Sequence, residues 1–174
     1  MPKKFKNLYT VLASYFFYGW GSLSFLWFLI AITIIGYGFG FLVAHNKHRK
    51  LFLTLAIALD LGTLAYFKYS NFFFDQLNQF NHLFGFSPII WQKVALPLGI
   101  SFFTFHGISY LVDIYRKKSH ETNLIDFALY IALFPQLIAG PIIRFHEIAA
   151  EIKTRTHSYE KFFDGIFIFS YGLG

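Results

Sequence analysis

The chain has 174 residues, of which 56% are hydrophobic and only 14% charged, where soluble domains carry about 25% charged residues. That balance excludes an ordinary soluble domain, and the absence of cysteine excludes disulfides and thiolate chemistry. The formal net charge of +6 is gathered in short Lys/Arg clusters between apolar runs, a distribution that reads as membrane topology rather than as a nucleic-acid surface.

Lys3, Lys4 and Lys6 precede a short apolar run, Leu8 to Tyr18. The basic start is signal-peptide-like, but the bulky aromatics that follow make a poor cleavage site, so the run reads as a retained helix. It is shorter than the ~20 residues that a crossing needs. No charged residue occurs from Leu8 to Ala44, and Gly19-Trp20-Gly21-Ser22 divides that stretch. Leu23 to Val43 then has spanning length, with Gly36 and Gly40 forming a GxxxG pair that permits close helix approach. Gly36-Tyr-Gly-Phe-Gly40 lacks the strand–turn–helix setting of a nucleotide loop.

His45 to Lys50 is a basic connector. Leu51 to Phe67 is the next predicted span, interrupted by Asp60. Asn71 to Gln92 is more polar: Phe73, Leu77, Phe80 and Phe84 fall at helical spacing among Asp75, Gln76, Asn78, Gln79 and His82. That pattern predicts a helix lying in the interface plane, with Trp91 and Lys93 at a membrane boundary. Val94 to Val112 is a further span, with Pro97 near its start and His106 inside it, and Arg116-Lys117-Lys118 follows.

Phe127 to Ile143 is apolar but broken by Pro135 and Pro141. Its helical part before Pro135 is too short to cross, which predicts a half-helix that turns back, with the break at 134–144. Such a return puts Arg116–Lys118 and Arg144–Lys161 on one side. Both segments are basic, so that side is cytoplasmic, as is His45–Lys50 two spans earlier. The interfacial segment then lies outside. Phe162 to Gly174 reads as the start of another span, which marks the chain as part of a longer polypeptide. The expected fold class is all-α: a multi-pass transmembrane bundle with an interfacial helix and a re-entrant segment.

Three segments carry a resemblance: Tyr66-Phe-Lys-Tyr-Ser-Asn-Phe-Phe73, Leu96-Pro-Leu-Gly-Ile-Ser-Phe-Phe-Thr-Phe-His-Gly-Ile-Ser-Tyr-Leu-Val-Asp-Ile-Tyr-Arg116 and Phe134-Pro-Gln-Leu-Ile-Ala-Gly-Pro-Ile-Ile-Arg144. In their order and spacing they resemble the membrane-bound O-acyltransferase family, in particular its bacterial alginate O-acetyltransferase branch. Asn7 to Leu29 is similar to that family's early membrane region. The resemblance implies that residues 1–174 are a partial membrane-bound O-acyltransferase domain in the bacterial cytoplasmic (inner) membrane. It implies transfer of an acyl group, acetyl in this branch, from a cytoplasmic thioester donor (acetyl-CoA or an acyl carrier) to a hydroxyl of an exported, alginate-like polysaccharide. The donor is a substrate, and no bound cofactor is implied. The implied partners are the lipid bilayer, the polysaccharide and a periplasmic or cell-surface acetylation protein; nucleic acid is not among them. The family's catalytic histidine commonly lies in a later Trp-His-Gly stretch, which this sequence does not contain. Two other readings stand beside this one: a helical channel or transporter domain, and an inactive truncated product.

The chemistry sets what to look for. Acyl transfer to a hydroxyl needs a base for the acceptor and donors for the developing oxyanion. The chain has neither a Gly-x-Ser-x-Gly elbow nor a cysteine nucleophile, so direct transfer from thioester to hydroxyl is the simpler route. The resemblance points to His106, Gln136, Gly140, Pro141 and Arg144 as tunnel or donor-side support. Read locally, Arg144 either holds an anionic part of the donor or marks a membrane edge. Gln136 either lines a tunnel or satisfies carbonyls freed by the prolines. Gly140 and Pro141 read as architectural. His106 is the histidine deepest in an apolar span, read as a supporting polar residue rather than the base, and Asp60 is a further intramembrane polar candidate. Asp113 and Arg116 stand three apart and can pair at a helix end. His45 and His48 share a helical face, but two histidines in a basic setting fall short of a zinc site's three or four ligands.

Overall fold

The computed structural model describes residues 3–119, 122–137, 140, 143–154 and 158–172, and over them the ordered elements are all helical. In chain order they are α1 (Lys3–Gly21), α2 (Leu23–His45), α3 (Arg49–Leu83), α4 (Ile100–Tyr115), α5 (Leu124–Ala132), α6 (Phe134–Leu137), α7 (Phe145–Thr154) and α8 (Tyr159–Gly172). Of these, α2 and α3 are long and apolar enough to cross a membrane.

The predicted break between the first two helices is where it was expected: α1 stops at Gly21, and Ser22 is extended before α2 begins. α2 is the hub of the bundle and packs against α1, α3, α4 and α5. Its GxxxG pair explains how. A Cβ at Gly40 would fall 2.5 Å from Cε1 of Tyr110 on α4, and one at Gly36 would fall 3.4 Å from Phe127 on α5. Gly40 thus makes room for the Tyr110 ring, while the Phe127 ring reaches ordinary contact distance at Gly36. Those rings belong to a buried aromatic core in which Tyr110 lies 4.3 Å from Phe127 and 4.8 Å from Phe145, and Tyr130 lies 5.1 Å from Phe145, between centroids.

The basic connector after α2 does more than mark topology. Arg49 donates from Nε to the Val43 carbonyl at 2.8 Å, and from Nη2 to the carbonyls of Ile114 and Tyr115 at 3.1 Å each. One guanidinium therefore satisfies carbonyls at the C-terminal ends of both α2 and α4, where a helix leaves acceptors unpaired and favours positive charge.

The structure corrects the reading of residues 71–92. No separate interfacial helix forms there; α3 continues unbroken for 35 residues, and the chain from Phe84 to Leu98 is not helical. At ~1.5 Å per residue α3 is longer than the ~30 Å hydrocarbon core. Its polar residues serve the returning chain. Asn71 accepts from the Val94 amide (2.9 Å) and the Trp91 indole (3.1 Å), and donates to the Val94 carbonyl (2.7 Å). Asn78 brackets Ile89 in the same way, with bonds of 2.7 and 3.0 Å. Two amides seven residues apart thus hold an extended segment that has no strand to pair with, and the Phe74 and Trp91 rings stack at 3.9 Å.

The expected span over 94–112 is shorter than predicted, because helix α4 starts only at Ile100. Gly99, at φ +74°, turns the chain into it. α5 is a short helix of 9 residues that ends at Ala132, just ahead of Pro135. Its start is capped by Asn123, which accepts from the Asp126 amide at 2.8 Å, while the buried Asp126 carboxylate accepts from Asn7 (2.6 Å) and Asn123 (2.8 Å). That ties α5 to α1. α8 has no buried residue, and its aromatic face is exposed. The return of the chain after Pro135 is only partly covered, since residues 138, 139, 141 and 142, Pro141 among them, lie outside the described residues.

The packing separates Gly40 from Gly38 on the same helix. Gly40→Ala should destabilise the protein by about 1–3 kcal/mol, because α2 and the Tyr110 ring must move apart. Gly38→Ala, where nothing lies within 4 Å of the new methyl, should be neutral or stabilising. Melting temperatures in detergent give the comparison, and equal effects at the two positions would contradict this packing.

Candidate functional site

The three sequence motifs fold onto one another. Asn71 of the first holds Val94, just ahead of the second. Gly99 of the second meets the Leu137 carbonyl of the third so closely that a side chain at position 99 would collide with it. Tyr18 of α1 donates to the Leu98 carbonyl at 2.9 Å and closes the corner from the other side.

His106 and Gln136, 30 residues apart, meet at the centre of this arrangement. His106 is fully buried on α4, and its Nε2 lies 3.1 Å from Nε2 of Gln136. An amide nitrogen donates, so the imidazole Nε2 accepts and the ring proton sits on Nδ1. The His106 ring also packs on Tyr130, with centroids 5.0 Å apart. Gln136 is fixed by the broken backbone around it. Its amide donates to the Leu133 carbonyl at 2.9 Å, and its carbonyl accepts from Gly140 at 3.1 Å. A Cβ at Gly140 would come within 2.5 Å of Gln136 Cα, so glycine there is what allows the chain to fold back over the glutamine.

Arg144 is not part of that pair. It stands at the other end of α4, where it lines a cavity of about 400 Å³ together with Arg116 and Lys118. Phe105, Ile108, Ser109, Val112 and Asp113 complete the lining, so one wall is apolar and the mouth carries three cations. Ser109 is one helical turn from His106, and the cavity therefore opens one turn away from the buried pair. Asp60 is buried on α3 against α4: its Oδ2 would lie 3.4 Å from a Cβ at Gly107. The structure thus brings His106, Gln136 and Gly140 together, places Arg144 at a basic cavity beside them, and sets Asp60 against the back of α4. Pro141 lies outside the described residues.

One pairing differs from the sequence reading. Asp113 is held by His146 rather than by Arg116: its Oδ2 accepts from the His146 amide at 3.1 Å and from Nδ1 at 2.9 Å. An acidic side chain in the last turn of α4 opposes the helix dipole, and that signal alone asks for a distant partner. Tyr130, also missed, donates to the Ile143 carbonyl at 2.8 Å. These contacts fix the start of α7 beside the end of α4. Among the described residues no group of three or more His, Asp or Glu is arranged to hold a metal ion.

No family model and no solved structure matches the chain. Curated proteins do. The chain is 40% identical, over 99% of its length, to the Azotobacter vinelandii protein named "Probable alginate O-acetylase AlgI", and covers 36% of that protein. The Pseudomonas aeruginosa protein of the same name is 39% identical over 98% of the chain, which covers 34% of it. The Helicobacter pylori peptidoglycan O-acetyltransferase is 32% identical over 97% of the chain, which covers 37% of it. The resemblance read from the three motifs therefore holds: over nearly its whole length the chain is similar to proteins named O-acetylase or O-acetyltransferase. It spans about a third of the length of these relatives.

Replacing Asp113 by alanine should release the first turn of α7, with a local loss of about 1.5–3 kcal/mol for a charge-assisted bond. Hydrogen exchange at the His146 amide should then accelerate at least tenfold. Unchanged exchange there would mean that the pair does not hold the turn.

Proposed function

We propose that this chain forms part of a multi-pass membrane O-acyltransferase of the bacterial cytoplasmic membrane. The whole enzyme moves an acetyl group from a cytoplasmic thioester, acetyl-CoA or an acyl carrier, to a hydroxyl of an exported polysaccharide of alginate type. A periplasmic or cell-surface protein presents the acceptor. The observation that carries the reading is the interlock of the three motifs: the second and third bring His106 and Gln136 together in the buried interior, the first holds the chain ahead of the second, and a cavity lined by three cations lies one turn away.

The parts suit the chemistry. Three cations at a cavity mouth attract the anionic portion of a thioester carrier, and a long apolar wall receives its chain. A packed helical interior excludes water, which would otherwise compete with the hydroxyl for the acyl group. The base that activates the hydroxyl is expected in the family's Trp-His-Gly stretch, so the residues of this chain serve the donor side.

The same contacts support the orientation. Arg49 bonds the carbonyl of Tyr115, next to Arg116, and Arg116, Lys118 and Arg144 share one cavity, so the basic residues of three connectors gather at one end of the bundle. By the positive-inside tendency that end faces the cytoplasm. The Asp113–His146 contact brings the chain after the 134–144 break back to the same end, as a re-entrant segment requires.

In the full-length polypeptide, Arg144→Ala should lower acetyl transfer tenfold or more while membrane abundance stays constant; a matching loss of abundance would assign Arg144 to folding instead. Cysteines placed at Ser119 and Thr154 should both label from the cytoplasmic side, and labelling from opposite sides would defeat the re-entrant topology.

A further inference from the structure

Donor binding at the cavity leaves the buried His106 imidazole without a task. Among the described residues, Nδ1 of His106 has no hydrogen-bond partner. The ring proton sits on that atom because Nε2 is occupied by the Gln136 amide. A buried N–H without an acceptor is rare and asks for a partner that is absent from the resting protein.

The surroundings restrict what that partner is. Apart from Gln136, the ring contact shown for His106 is aromatic: Tyr130 of α5 packs on it, and Phe103 and Tyr110, one turn away on α4, are fully buried. A carboxylate or phosphate would be expensive there. A water molecule needs two to four polar partners to stay in such a place. A neutral acyl group brings a single carbonyl oxygen and an otherwise apolar body, and suits the site on both counts.

The route is short. Ser109 lines the cavity and stands three residues from His106 on α4, a rise of ~4.5 Å along the helix. Tyr130 packs its ring on His106, and its hydroxyl bonds the Ile143 carbonyl next to Arg144. A carrier whose anionic part rests at Arg116, Lys118 and Arg144 has its acyl end directed along this wall.

We propose that His106 is an acyl-binding residue whose Nδ1–H donates to the carbonyl oxygen of the bound thioester, with Gln136 as the positioning residue that fixes the tautomer. This rests on the acyl-transfer reading given above. A single N–H that already points at the carbonyl oxygen costs no reorganisation when that oxygen gains charge. Gln136 has a second effect: by occupying Nε2 it keeps His106 from acting as a base through that atom. His106 thus holds and polarises, and the proton of the acceptor goes elsewhere.

The test uses the full-length polypeptide in detergent and two probes: a ketone analogue of acetyl-CoA with a methylene in place of sulfur, and S-ethyl coenzyme A, which lacks the carbonyl. The wild type should bind the ketone about tenfold more tightly than the S-ethyl compound, the worth of one well-placed hydrogen bond. His106→Phe should erase that preference, and His106→Gln, which keeps an N–H donor, should retain most of it. With histidine labelled by nitrogen-15, the ketone should shift the Nδ1–H resonance of His106 downfield and leave Nε2 unprotonated. Equal binding of both compounds by the wild type, or a preference that survives in His106→Phe, overturns the assignment and leaves acyl transfer standing. Failure of the wild type to bind either compound overturns the acyl-transfer reading and this one with it. Because the ketone/S-ethyl comparison needs no substitution, it stands even where a variant does not fold.

Discussion

Gly99 and the Leu137 carbonyl approach so closely that no side chain fits between them, and much of the architecture follows from that contact. It fixes where α4 begins, because the left-handed turn at Gly99 can be made there without a Cβ. It also sets α6 against the first turn of α4, and so brings Gln136 level with His106 further along the same helix. Gln136 and Leu137, in the stretch between α5 and α7, are therefore part of the packed interior. Gly140 plays the complementary part, letting the backbone close over Gln136. Two glycines in two distant motifs act as one joint.

A second set of contacts organises the opposite end of α4. Arg49 gathers carbonyls from α2 and α4, Asp113 takes hold of α7, and Tyr130 bonds the chain just before Arg144. Each bond is modest alone, but together they determine which side chains surround the basic cavity. In the proposed orientation this is the end at which a soluble thioester arrives, and the joint at Gly99 lies towards the opposite end. α4 then spans the distance between donor entry and the buried histidine, which gives the motif from Leu96 to Arg116 a single physical role: one helix with a turn at its start, a polar group in its middle and a cationic mouth at its end.

Part of this was legible in the sequence. Uncharged runs and basic connectors locate α1, α2, the first half of α3 and α4, because the cost of burying charge acts on every residue of a run. The Gly36–Gly40 pair announced a close approach, though not that Tyr110 and Phe127 would fill it. Local rules failed where a side chain's partner is remote. Asn71 and Asn78 have the periodicity of a wetted helix face, and nothing in that periodicity distinguishes water from the backbone of a returning segment. Asp113 has Arg116 at a favourable spacing, yet His146 offers two donors to one oxygen. The His106–Gln136 pair needs both the turn at Gly99 and the break after Ala132 before the two residues can meet, so no reading of either motif alone yields it.

Sided acetyl transfer tests the proposed chemistry and orientation together. The full-length polypeptide would be reconstituted in lipid vesicles with labelled acetyl-CoA on the face carrying the basic cavity and de-acetylated alginate, together with its presenting protein, on the other. Label should appear on the polysaccharide when donor is at the basic face and be lost when donor is supplied only to the opposite face. Flux of solute through the vesicles with no acetyl group transferred would contradict the proposed chemistry and favour a channel.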